Sequence, residues 1–178
     1  MAQLKIEDRQ VVLFGPYLLA SSKTFTVGEF VAFSTSTAGV LDNATATVSG
    51  TSWVAGKLEA IVDKDGNPMV DANGKNITSI ATGSSNTTYY GLIIPAFPEY
   101  TFEVPANAAL GTTTGSNKAG VFFNLASSTQ IDESSVVLPA GTGAPKQLIS
   151  LGPARDNSTG ALSTTNLLVK FVKSVWQS

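Results

Sequence analysis

Asn166-Leu-Leu-Val-Lys-Phe-Val-Lys-Ser-Val-Trp176 is the stretch on which the fold turns. Read as a strand, it puts Leu167, Val169, Phe171, Lys173 and Val175 on one face and Leu168, Lys170, Val172 and Ser174 on the other. Apolar side chains stand on both faces, which fits a central strand better than an edge. Glu99-Tyr-Thr-Phe-Glu-Val104 alternates more cleanly, with Tyr100, Phe102 and Val104 inward and Glu99, Thr101 and Glu103 outward. Nowhere do strong helix formers recur at helical spacing over the ~10 residues a helix needs. The chain is expected to be all-β, with little helix.

The remaining runs repeat that pattern between turn signals. Gln10-Val-Val-Leu-Phe14 closes on Gly15-Pro16, and Tyr17-Leu-Leu-Ala20 follows. Thr24-Phe-Thr-Val-Gly-Glu-Phe-Val-Ala-Phe33 reads as one strand kinked or bulged at Gly28. Thr45-Ala-Thr-Val48 is a plausible exposed strand. Trp53-Val-Ala-Gly-Lys-Leu-Glu-Ala-Ile-Val62 places Leu58, Ala60 and Val62 opposite Lys57, Glu59 and Ile61. Tyr89-Tyr-Gly-Leu-Ile-Ile94 has the look of a buried strand. Pro95 and Pro98 then stiffen a connector. Past it come Val121-Phe-Phe-Asn-Leu125, Ser135-Val-Val-Leu138 and Gln147-Leu-Ile-Ser-Leu151. Two small β-barrel or β-sandwich subdomains are therefore expected. Residues 1–97 would carry an extended arm and a long hairpin insertion, and 98–178 would form a small β-barrel.

Composition narrows the chemistry. The 178 residues include no histidine and no cysteine, and 13% are charged. Without imidazole there is no base poised near neutral pH, and without thiolate no sulfur nucleophile or zinc ligand. A Ser–His arrangement is excluded, no serine stands three before a lysine in a helical segment, and no phosphate-cradling glycine turn opens a helix. Glu99 and Glu103, four apart on one strand, read as an exposed polar face rather than a glycosidase pair. No enzyme activity, catalytic residue or cofactor is expected. A net charge of −2 with scattered basic residues argues against nucleic acid. No apolar run is long enough for a membrane span, and the mixed charge of residues 1–10 is unlike a signal peptide.

Two features keep a second meaning. Residues 63–76 read Asp-Lys-Asp-Gly-Asn-Pro-Met-Val-Asp-Ala-Asn-Gly-Lys-Asn, where Asp65-Gly66 and Asn73-Gly74 are tight-turn dipeptides. Asp63, Asp65, Asn67 and Asp71 offer oxygens at short spacing, but the glycine is misplaced and no glutamate closes a calcium loop. No metal is expected there. Trp53, Tyr89, Tyr90, Tyr100 and Trp176 could line a sugar platform, whereas nine phenylalanines point to core or subunit packing.

Four segments together carry a resemblance: Thr26-Val-Gly-Glu-Phe-Val-Ala-Phe33, Tyr90-Gly-Leu-Ile-Ile-Pro95, Glu99-Tyr-Thr-Phe-Glu-Val-Pro-Ala-Asn-Ala-Ala-Leu110 and Leu167-Leu-Val-Lys-Phe-Val172. Their order resembles the all-β decoration, or cement, proteins of tailed bacteriophages with HK97-type capsids. The resemblance implies a virion protein on the outer capsid surface, made in the host cytoplasm, that clamps the major capsid protein. It also implies a homo-oligomer, a trimer or a dimer, the trimer suiting a three-fold shell site. The stretch 34–52 and the excursion 63–76 depart from the pattern. A tail or fibre-base component and a carbohydrate-binding β module are the alternatives.

Leu4, Ile6, Phe14, Tyr17 and Trp176 are the candidate capsid or subunit interface residues. Leu4 and Ile6 alternate with polar neighbours, so the arm 1–10 either docks on a partner's sheet edge or forms the first strand of its own barrel.

Overall fold

The computed structural model describes residues 11–44, 53–111, 117–138, 147–156, 158–172, 174 and 176. These residues are all-β: a three-residue 3-10 turn, Glu133–Ser135, is their one helical element. The expected strand 45–48 and the arm with Leu4 and Ile6 lie outside the described residues.

Five strands close into a barrel. Around the ring run β1 (Phe14–Leu19), β4 (Val40–Asn43), β3 (Phe30–Phe33), β5 (Val54–Val62) and β7 (Tyr90–Pro95), and β7 pairs back onto β1. β1 and β4 are parallel and the other four pairings antiparallel. Closure leaves none of these strands with an open edge. A two-stranded ribbon, β2 (Thr24–Thr26) with β6 (Ser79–Ala81), adds the fully buried Phe25 to the barrel core of Leu19, Val31, Leu41, Leu58, Ile61 and Ile93.

Local chemistry explains where the strands depart from simple alternation. The strand expected over 10–14 is not formed by Val11–Leu13; β1 begins at Phe14 and runs through Gly15-Pro16 as a bulge, with Gly15 at a φ of +131°. Gly28, at φ +97°, breaks the expected strand 24–33 in two, so β2 and β3 pair with different neighbours. β5 bulges between Leu58 and Ala60, which pushes Glu59 outward and brings Leu58 and Ile61 to the same core. The strict alternation expected for 57–62 is therefore wrong by one residue after Glu59. At Gly56 the chains come too close for any side chain: a Cβ would stand 2.2 Å from the Ile94 carbonyl oxygen.

The later strands build an open, antiparallel four-stranded sheet in the order β8 (Phe102–Pro105), β13 (Leu162–Phe171), β12 (Leu148–Arg155), β9 (Phe122–Phe123). β13 is central, as its two-faced pattern predicts. A ribbon of β10 (Leu125–Ser127) and β11 (Gln130–Ile131) lies beside it. Over 98–178 the described strands form this open sheet with the β10–β11 ribbon, within the barrel-or-sandwich class expected. Residues 135–138 are not a strand either: the 3-10 turn takes Ser135, and one bridge, Val137 to Phe122, remains.

The two halves share a wall. β3 is buried on both sides, Val31 facing the barrel core while Phe30 and Ala32 join Phe102, Val104, Phe123, Leu125, Leu148, Leu167, Val169 and Phe171 in a second core. There Phe30, Phe102 and Phe171 meet edge to face, with centroids 5.6, 5.0 and 5.5 Å apart. A contiguous apolar run such as Phe-Val-Ala-Phe is what a strand covered on both faces requires.

Candidate interaction surface

Aromatic side chains from three separate stretches meet at the side of the barrel. Phe14 opens β1, Phe97 sits in the connector after β7, and the Trp176 ring lies 5.2 Å from the first and 5.6 Å from the second. Phe14 and Phe97 are themselves 5.4 Å apart. Phe33, at the end of β3, links Trp176 (6.1 Å) to Tyr17 (5.1 Å), and Tyr100 continues the chain beyond Phe97 at 5.7 Å. The pairs are edge-to-face except the tilted Phe97–Tyr100 pair, and all six rings are half-buried. The Trp176 indole N–H donates to the Ala55 carbonyl of β5, so the far end of the chain is tied to the barrel.

Of the five residues expected at an interface, the structure gathers Phe14, Tyr17 and Trp176 into this one belt, where they contact the chain's own rings. Phe14 is preceded in the chain by Val11, Val12 and Leu13, which are 49%, 53% and 42% exposed and do not join β1. Three consecutive apolar side chains, each about half in solvent, are unusual for a surface that meets nothing.

The rest of the surface holds polar groups occupied with local structure. Asp63 accepts from the Asn67 side-chain amide and from the backbone amides of Asn67 and Asp65, and Asp71 from the backbone amides of Lys75 and Asn73, which lowers both carboxyls from their ordinary value. These are two successive tight turns, with Gly66 and Gly74 at φ +85° and +74°. Among the described residues no group of three or more Asp or Glu side chains is placed to hold a metal ion. Asp156 closes the β12–β13 turn, and four donors from Ser158 and Thr159 push its carboxyl down to about 2. Glu99 and Glu103 do not share a strand, because β8 begins at Phe102; Glu103 instead accepts from Asn166 at 2.8 Å.

Among the described aromatic residues Trp53 alone is largely exposed, at 42%. The rings of the belt stand edge-on to one another and offer no flat platform. On the outer face of the sheet, Leu151, Pro153, Arg155, Leu162, Leu168 and Glu103 line a shallow groove of about 530 Å³.

One residue that matters was invisible to sequence reasoning. Glu29 is buried at 5% exposure, the one acidic or basic side chain so placed among the described residues. Its signal is a lone acid inside the apolar run 27–33, where a turn residue would be expected to reach solvent.

No family model, no curated protein and no solved structure matches this chain.

Proposed function

We propose that this chain is a capsid decoration protein that binds assembled shells of an HK97-type major capsid protein and stabilises them. The observation that carries the proposal is the exposed apolar run Val11, Val12 and Leu13, which leads in sequence into Phe14 of the half-buried belt with Phe97 and Trp176. Such a surface recognises another protein by shape and apolar contact, with aromatic anchors at its centre. The strand order that resembles the decoration family supports the same reading, as does a chain without histidine or cysteine. Two-fold or three-fold self-association would let one molecule clamp neighbouring capsid subunits.

Co-sedimentation with expanded HK97-type shells of the virus encoding the chain tests this. Wild type is expected to pellet with the shells and raise their melting temperature, and Val12→Asp to lose both while keeping its circular dichroism spectrum. A wild-type protein that stays in the supernatant refutes the proposal; retention on purified tails instead supports a tail or fibre-base role. A carbohydrate-binding role draws less support, since it needs several exposed rings on one face.

A further inference from the structure

Glu29 stands where the barrel meets the second half of the chain. One oxygen, Oε1, accepts from the Thr26 backbone amide and from Asn43 Nδ2, both at 3.0 Å; the other, Oε2, accepts from Ser128 Oγ at 3.1 Å. Thr26 ends β2, Asn43 ends β4, and Ser128 lies in the turn between β10 and β11. Beside this joint the Phe30 amide donates to the Ser128 carbonyl at 2.6 Å. The Glu29 side chain therefore joins two strands of the first half to the ribbon of the second.

All three donors are neutral. Lys23, next to β2, is engaged with Asp42 of β4 at 3.1 Å. β5, whose Leu58 amide donates to the Glu29 carbonyl, brings Lys57 and the outward Glu59. The β10–β11 ribbon carries no charged residue, and Asp132 after it holds the amide and hydroxyl of Ser134. No lysine or arginine among the described residues makes an ion pair with Glu29. A buried carboxylate without a counter-ion carries a desolvation cost that neutral hydrogen bonds offset only in part.

We propose that Glu29 is a proton-operated latch between the barrel and the β10–β11 ribbon. Burial pushes its carboxyl above the ordinary 4.5, against the smaller opposing pull of the Thr26, Ser128 and Asn43 hydrogen bonds. The folded state thus holds the proton more tightly than the unfolded one. The stabilisation is full below pH 4.5 and is lost as pH rises through the raised value. When neutral, the acid can donate to Ser128 Oγ, whose hydroxyl turns to accept. Once ionised, it leaves an uncompensated charge at the joint, and the ribbon loosens. The latch stands independently of the capsid proposal.

Glu29→Gln tests it on the full chain. The amide oxygen keeps the Thr26 and Asn43 donors, and its NH2 reaches Ser128 Oγ. Between pH 4.5 and 8 the wild-type folding constant is expected to fall relative to the variant. Hydrogen exchange at the Phe30 amide, corrected for intrinsic rate, should rise by the same factor in wild type alone. Parallel pH profiles for the two proteins overturn the proposal. Should the variant not fold, carbon NMR of the Glu29 carboxyl in wild type decides: a midpoint above 4.5 upholds the latch, and one at or below 4.5 overturns it.

Discussion

Removing the Trp176 ring separates a clamp within the chain from a surface kept for a partner. Its ring faces Phe14, Phe97 and Phe33 at 5.2, 5.6 and 6.1 Å, and its indole N–H donates to the Ala55 carbonyl. Each edge-to-face pair contributes about 0.5–1.5 kcal/mol beyond area burial, and full truncation of a core Trp costs about 3–5 kcal/mol. Because Trp176 is half-buried, Trp176→Ala is expected to cost about 2–3 kcal/mol. Trp176→Phe keeps most ring contacts and loses only the indole donor. The Ala55 carbonyl still accepts from the Ala96 amide at 2.9 Å, so that variant should cost about 1 kcal/mol or less. Urea unfolding followed by circular dichroism, with fluorescence of the remaining Trp53, measures both. A Trp176→Ala protein within about 0.5 kcal/mol of wild type would refute the clamp and return Trp176 to the interface.

Gly56→Ala must drive a Cβ into the Ile94 carbonyl oxygen, so a loss of about 3 kcal/mol or more in thermal or urea unfolding is expected; Gly74→Ala, with open space but φ +74°, should cost only about 1 kcal/mol. Leu167→Ala empties a fully buried position in the second core and should cost about 2–5 kcal/mol by the same assay. Asp156, held at about 2 when folded, contributes stability that is full above 3.8 and lost as pH falls toward 2. Asp156→Asn should flatten that acid limb of the melting-temperature profile, and an unchanged limb would assign it to other groups. Millimolar calcium should leave the melting temperature unmoved, because Asp63 and Asp71 serve separate turns; a rise abolished by Asp63→Asn would overturn that.

Much of the strand inventory was legible because it is local. Phe102 and Val104 inward with Glu103 outward follow from alternation, and the central place of β13 from apolar side chains on both its faces. What escaped depends on distant partners or on single-residue slips. Nothing in Leu18-Leu19 announces that it pairs in parallel with Val40-Leu41, yet that contact helps close the ring and decides which half contains the barrel. The bulge at Glu59 reverses the faces of the rest of β5, and no composition signal marks it. Phe14, Tyr17 and Trp176 stood out as aromatics; their convergence, with Phe33 and Phe97 between them, required the fold. Glu29 passed as one more residue of a kinked strand, because partners that bury it lie 14 and 99 positions away.

β3 acts as a party wall, with Val31 lining one room and Phe30 and Ala32 the other. A cut at residue 97, the natural place to divide the chain for expression, would strand Phe102 and Phe171 without Phe30 and open the barrel's outer side to water. Neither piece could be moved into another protein as a ready-made part. Recombination that shuffles gene segments would have to carry the whole length together. The sites open to grafting are instead the tips at 63–67 and 71–75 and the turn where Ser158 and Thr159 donate to Asp156, each closed by its own aspartate.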